Sequence, residues 1–166
     1  MVLTKPELIA ALQNESRILL HLADKIDPAK IDYRPTPKQR STIELLRYLT
    51  MMGPNMVVAA AAGKFDEAAW GVAEEATKKM TLAQAKAAIA AHSAAYAAAL
   101  GSVADADFRT EISLFGPPTS RGAWLVAWVL GGCVAYRTQL FLYLKACGRE
   151  ELGTMNLWGG MDAPSA

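Results

Sequence analysis

The chain has 166 residues, enough for one domain with a sizeable core, and its 17 Lys and Arg against 16 Asp and Glu leave a formal net charge of +1. That balance gives no electrostatic basis for binding nucleic acid or an anionic membrane surface. Hydrophobic residues make up 52% and the mean hydropathy is +0.15; even so, the longest apolar run, Ala123 to Tyr136, contains Gly131 and Gly132 and stops at Arg137, short of the roughly 20 residues that span a bilayer.

The N-terminus, MVLTKPEL, has no basic stretch leading into an apolar one, so no secretory leader is expected. The first helix is predicted from Lys5 to Ile26, opened by the capping box Thr4-Lys5-Pro6-Glu7. Leu8, Leu12, Leu19, Leu22 and Ile26 form its apolar stripe, with Asn14, Arg17, His21 and Asp24 opposite. Asp27-Pro28 and Tyr33-Arg34-Pro35-Thr36-Pro37 read as an extended connection, because proline fixes its own φ and restricts the residue before it. A second capping box, Ser41 to Glu44, opens a helix reaching Ala62 and stopped by Gly63. Pro54 inside it predicts a kink or short break. Lys64 to Lys79 is mixed, with a short helix around Asp66 to Trp70.

The third capping box, Thr81 to Gln84, opens a helix to Leu100 that ends at Gly101. Eleven of its twenty residues are alanine, which permits close packing, and Leu82, Ile89 and Tyr96 mark the core side every seven residues. Asp105 to Ser120 is a long connection with a possible extended piece in FRTEISLFGPP that turns at Gly116-Pro117-Pro118. The last helix is predicted from Ser120 to Cys147, stopped by Gly148. Its Cys133 and Cys147 would stand about 21 Å apart, too far for a disulfide, so free thiols in a reducing, cytoplasmic compartment are expected. Trp124 and Trp128 should pack in the core or at a subunit interface. The apolar tail should dock on the bundle through Leu157 and Trp158. Four long helices without a convincing sheet predict an all-α four-helix bundle, one domain over residues 1–166.

Candidate site residues are few. His21 reads as a solvated surface histidine. His92 shares the stripe of Ile89 and Tyr96, as a hydrogen-bonded core residue or a functional one. Glu15 sits between Leu12 and Leu19; a carboxylate there is either paired, protonated or snorkelling at the edge. No H-E-x-x-H, C-x-x-C, E-x-x-H, G-x-S-x-G or phosphate-loop pattern occurs. No cofactor is predicted. Arg137, Thr138 and Gln139 interrupt an apolar stretch. Thr138 and Lys145 would mark a solvated edge, with Arg137 and Gln139 flanking it or lining a cleft.

Two stretches carry a resemblance. Tyr33-Arg34-Pro35-Thr36-Pro37 leading to Arg40-Ser41-Thr42-Ile43-Glu44-Leu45-Leu46-Arg47-Tyr48-Leu49 resembles the DinB-like superfamily. So do Tyr136-Arg137-Thr138-Gln139-Leu140, then Tyr143-Leu144-Lys145 and Gly148, and the Asn156-Leu157-Trp158 tail. The resemblance implies an up-down-down-up four-helix bundle, a homodimer, and kinship with metalloenzymes that include bacillithiol and mycothiol S-transferases. In metal-binding members, one histidine follows Leu-Leu-x on the second helix. Two more stand four apart on the last, the second just before Arg-x-Gln-Leu. Those positions here are Tyr48, Gly132 and Tyr136. Phenols with a pKa near 10 are poor divalent-metal ligands near neutral pH, and glycine offers no donor, so no bound metal is expected.

Two functions follow as expectations. One is a non-metal binding or homo-oligomeric protein. The other is an enzyme whose metal-free pocket, lined by Tyr48, Gly132, Tyr136, Arg137 and Gln139, uses Tyr48, Tyr136, His92 or Glu15 in acid–base roles toward a small molecule. Tyr48 and Tyr136 should meet across the bundle, their hydroxyls in a polar cluster with Glu15 or His92.

Overall fold

The computed structural model describes residues 3–164; Met1, Val2, Ser165 and Ala166, part of the expected domain, lie outside the described residues. All three capping boxes form. The backbone N–H groups of Thr4, Ser41 and Thr81 donate to Glu7, Glu44 and Gln84 at 2.7, 2.7 and 2.8 Å. The cap hydroxyls accept in return from the backbone N–H of the same three residues.

Helix α1 runs Lys5–Ala23, shorter than the expected end at Ile26. The N–H groups of Lys25 and Ile26 bond three residues back, because the chain must leave the helical region before Pro28. Ile26 stays in the core. Helix α2, Thr42–Ala62, is unbroken at Pro54 and ends on left-handed Gly63. Pro54 has no N–H for the Thr50 carbonyl one turn back; His92 Nε2 reaches that oxygen at 2.9 Å. The expected break is thus avoided by a donor from another helix. Next to it, a Cβ at Gly53 would collide with the Tyr96 hydroxyl and lie 3.2 Å from Tyr96 Cζ. Gly53-Pro54 is therefore a recess into which His92 and Tyr96 fit.

Helix α3, Glu67–Thr77, exceeds the expected Asp66–Trp70, with Asp66 capping Ala69 N–H. It buries little besides Thr77, which is why apolar periodicity did not mark its extent. The expected single helix from Thr81 is two segments, α4 (Leu82–Ala90) and α5 (His92–Gly101), with a tightened turn at Ala91. Gly101 is the last helical residue rather than the stop. The extended piece exists as a small hairpin: β1 (Glu111–Ile112) pairs antiparallel with β2 (Thr119–Ser120), Glu111 opposite Ser120.

Helix α6 (Arg121–Trp124), a π turn (Leu125–Leu130) and α7 (Gly131–Ala146) make one continuous 26-residue rod. The π turn has no counterpart in the sequence reading. Trp124 is buried and Trp128 is 48% exposed, although their rings stack at 6.2 Å. The rod passes the apolar run that Arg137 seemed to end. By length and composition it could cross a membrane, and 22% of its most apolar window is buried. Arg137 points into the bundle, so it does not interrupt the apolar surface.

Helices α1 and α2 pack against α4, α5 and α7. The tail docks differently from expectation. Leu152 and Asn156 are buried while Trp158 is 67% exposed. Arg17 donates to the Gly159 and Gly160 carbonyls at 2.7 and 3.0 Å, and Arg137 donates to the Leu157 carbonyl. The tail is held by its backbone carbonyls and by Asn156, and the exposed indole lies with its ring centroid 5.8 Å from the Arg137 guanidinium.

Gly53→Ala should lower stability by about 1–3 kcal/mol, an overpacking cost. In a Tyr96→Phe background, which lacks the colliding oxygen, the added cost should be clearly smaller. Urea unfolding of the four proteins measures this, and equal costs in both backgrounds would count against the recess.

Candidate functional site

Tyr48 on α2 and Tyr136 on α7 meet edge to face, ring centroids 5.2 Å apart. Met52, one turn beyond Tyr48, brings its Cε to 3.6 Å from where a Cβ on Gly132 would stand. Trp70 closes the other side of Tyr48 at 6.4 Å, and the Arg40 guanidinium lies 4.0 Å over its ring. Phe65 continues this ladder from Trp70 at 5.4 Å, and Phe115 from Phe65 at 5.1 Å. Burial pushes the Tyr48 phenol well above its usual pKa, and the Tyr136 hydroxyl beside it pushes the same way. Among the described residues, no three His, Cys, Asp or Glu side chains stand close enough to share a metal ion.

The meeting of the two tyrosines is as expected; the cluster with Glu15 or His92 is not. Glu15 is neither snorkelling nor beside the tyrosines. Its Oε2 accepts from Arg137 Nε at 2.6 Å, with Arg137 only 3% exposed. Arg137 therefore does not flank a solvated edge. It is drawn inward because a buried carboxylate needs a paired, hydrogen-bonding partner. Gln139 donates to the Tyr143 hydroxyl at 2.6 Å, which donates to the Arg40 carbonyl at 3.0 Å, tying α7 to the approach of α2. His21 is not a free surface residue either: the Asn156 amide donates to its Nε2 at 3.0 Å and Asp162 lies 3.7 Å away.

A cleft of about 360 Å³ opens over Tyr48, walled by Arg40, Glu44, Arg47, Glu74 and Lys78. Of the five expected lining residues only Tyr48 borders it; Gly132, Tyr136, Arg137 and Gln139 do not. Glu15 and His92 instead border a separate internal space of about 10 Å³, shared with Ser16, Gly53, Tyr96 and Cys133, at most the size of one water. Tyr96 and Cys133 escaped the sequence reading as polar members of this group. Ser16 and Cys133 border the same space as Tyr96, and burial raises the Tyr96 phenol's pKa strongly. Burial also pushes the Cys133 thiol up to about 11, so it is a thiol, not a nucleophile, near neutral pH. The sequence signal that could have exposed the group is Gly53-Pro54 facing a stripe that carries His92.

His92 is held below its ordinary 6.5 by burial, against the opposing hydrogen bond to Thr50. Neutral, it donates through Nε2–H to that carbonyl. The unfolded chain takes up the proton at higher pH than the folded protein. Stability is therefore full above about pH 6.5 and falls as pH drops below it. Urea midpoints measured from pH 7.5 downward should fall less in His92→Gln, which keeps an amide donor but cannot titrate. Parallel pH dependences in the two proteins would contradict this assignment.

No family model and no curated protein matches the chain. Among solved structures, the crystal structure of a DinB-like protein, YjoA of Bacillus subtilis, is similar with a TM-score of 0.67, at 18% identity over 88% of this chain and 94% of that one. The chain thus has the all-α fold of a DinB-like protein.

Proposed function

We propose that this is a DinB-like protein that works by binding and self-association, without metal-dependent chemistry. The observation that carries the reading is the packing at the position where metal-binding relatives hold their ion. Tyr48 meets Tyr136 at 5.2 Å, and Met52 lies against Gly132. A divalent cation there would find two phenols, one glycine and a methionine methyl in place of the nitrogen, thiolate or carboxylate donors such an ion takes. The alternative, a metal-free enzyme, has less support. Glu15 is spent in an ion pair, His92 on a carbonyl, and the Tyr48 phenolate is out of reach. The cleft over Tyr48, rimmed by Arg40, Arg47 and Lys78, is where a small molecule would bind under either reading.

The partner in this reading is a second copy. Trp128, Gly131, Ala135, Thr138 and Leu142 follow one another at spacings of three and four along the rod. Trp128 and Leu142 are 48% and 59% exposed, with small residues between them that allow close helix approach. Every charged side chain on the rod is turned to its own chain: Arg121 to the Ala60 and Asp107 carbonyls, Arg137 to Glu15, Lys145 to the Glu150 and Leu152 carbonyls. The reading also includes an up-down-down-up course, which the long α3-bearing connection between α2 and α4 permits. It includes a cytoplasmic setting, in keeping with the free Cys133 and Cys147.

Elemental analysis of untagged protein should find no stoichiometric zinc, nickel or iron. About one equivalent, lost on Tyr48→Phe or Tyr136→Phe, would overturn the metal-free reading. Sedimentation at micromolar concentration should give twice the 17.8 kDa of the chain, and Leu142→Glu should give a monomer. A wild-type monomer, or partition of the wild type into lipid vesicles, would refute the dimer.

A further inference from the structure

A cleft of about 410 Å³ lies away from the tyrosine pair, between the start of α1, the 3₁₀ turn Asp105–Arg109 and the first turns of the rod. Its volume falls within the usual range for small-molecule sites. Leu8, Phe108, Ala123 and Val126 supply apolar wall. The wall is firm where Gly122 meets the 3₁₀ turn, since a Cβ at Gly122 would stand 3.3 Å from the Phe108 carbonyl oxygen. Leu8 and Phe108 are 3% and 8% exposed and belong to the core, so that side cannot easily collapse inward.

Two cations border this apolar space, and they differ. The Lys5 ammonium is satisfied, 2.9 Å from both the Val103 carbonyl and the Asp105 carboxylate. Arg109 is exposed, and among the described residues its guanidinium has no hydrogen bond, ion pair or ring contact. The other seven arginines of the chain all have one: Arg17, Arg34, Arg47, Arg121, Arg137 and Arg149 donate hydrogen bonds, and Arg40 stacks on Tyr48. One free guanidinium beside an apolar cleft suits a single planar anion bound through two N–H groups. The neighbouring Asp105 carboxylate disfavours a dianion such as a phosphate monoester, and the apolar walls disfavour a sugar.

We propose that this cleft binds a small amphipathic carboxylate, its hydrocarbon part on Leu8, Phe108, Ala123 and Val126 and its carboxylate on Arg109. This site is independent of the reading of the tyrosine pair.

Decanoate is the probe, titrated calorimetrically into the full chain below its micelle concentration. Saturable binding is expected, one site per chain. Arg109→Gln should weaken it about tenfold or more, and Arg109→Lys should restore part of the loss. Ala123→Phe, which fills the cleft, should abolish binding, with retention of fold checked by circular dichroism. Decanol should bind the wild type about as weakly as decanoate binds Arg109→Gln. Val72→Ser, on the exposed side of α3, should leave affinity unchanged. Absence of binding at millimolar decanoate overturns the proposal. So does binding indifferent to both Arg109→Gln and Ala123→Phe, binding lost in Val72→Ser, or tighter binding of inorganic phosphate than of decanoate.

Discussion

The fold depends most on one buried ion pair, Glu15 with Arg137. Taking both charges out of water costs several kcal/mol per ion, and the pair repays this only with good geometry and further hydrogen bonds. Both conditions are met. The Nε contact is 2.6 Å, and a second guanidinium nitrogen donates to the Leu157 carbonyl. Because an unpaired charge left in this place costs about 3–5 kcal/mol, α1 and α7 have one permitted alignment, and the tail is drawn across them. Arg17, two residues after Glu15, takes the Gly159 and Gly160 carbonyls further along the tail. A single electrostatic requirement thus sets the relation of the first helix, the last helix and the C-terminal segment.

The same demand for polar satisfaction organises the other side of the core. Pro54 leaves the Thr50 carbonyl without its helical donor, and His92 supplies one. Gly53 makes room for Tyr96 beside it. The tightened turn at Ala91 immediately precedes His92. The helix that looks continuous in sequence is therefore interrupted just before the side chain that answers the proline. Glu15, His92 and Arg137 look like catalytic candidates one by one, yet each answers a backbone or charge demand set by another part of the chain.

The space around Tyr48 and Tyr136 is treated in the opposite way. It is filled with aromatic rings and the Met52 side chain. The ladder Phe115, Phe65, Trp70, Tyr48, Tyr136 joins the hairpin turn, the connection after α2, α3, α2 and α7 through ring contacts between 5.1 and 6.4 Å. Edge-to-face aromatic pairs at such distances each contribute about 0.5–1.5 kcal/mol beyond the area they bury. Packing of this kind gives α3, which buries little of itself, a reason to stay docked. It also leaves the surfaces available for function at the cleft over Tyr48, along the apolar face of the rod, and beside Arg109.

Local chemistry was legible in the sequence. The three capping boxes, the stop at Gly63, the apolar stripe of α1, the core side marked by Ile89 and Tyr96 and the all-α class follow from short-range spacing, and each appears in the structure. That positions 48, 132 and 136 carry no histidine is likewise visible by inspection. The nearness of Tyr48 to Tyr136 came from the resemblance rather than from periodicity. Tertiary structure alone decided the partners. Arg137 lies 122 positions from Glu15, and His92 lies 42 from Thr50; no spacing rule reaches across such separations. For the same reason Arg137 read as the flank of a solvated edge or the wall of a cleft, His21 as solvated and Trp158 as docked, until the tail was placed. The π turn at Leu125–Leu130 and the break at Ala91 also belong to the tertiary level. Residue propensity does not distinguish a regular turn from one tightened or widened to aim a side chain, because the energy that selects it comes from what that side chain meets.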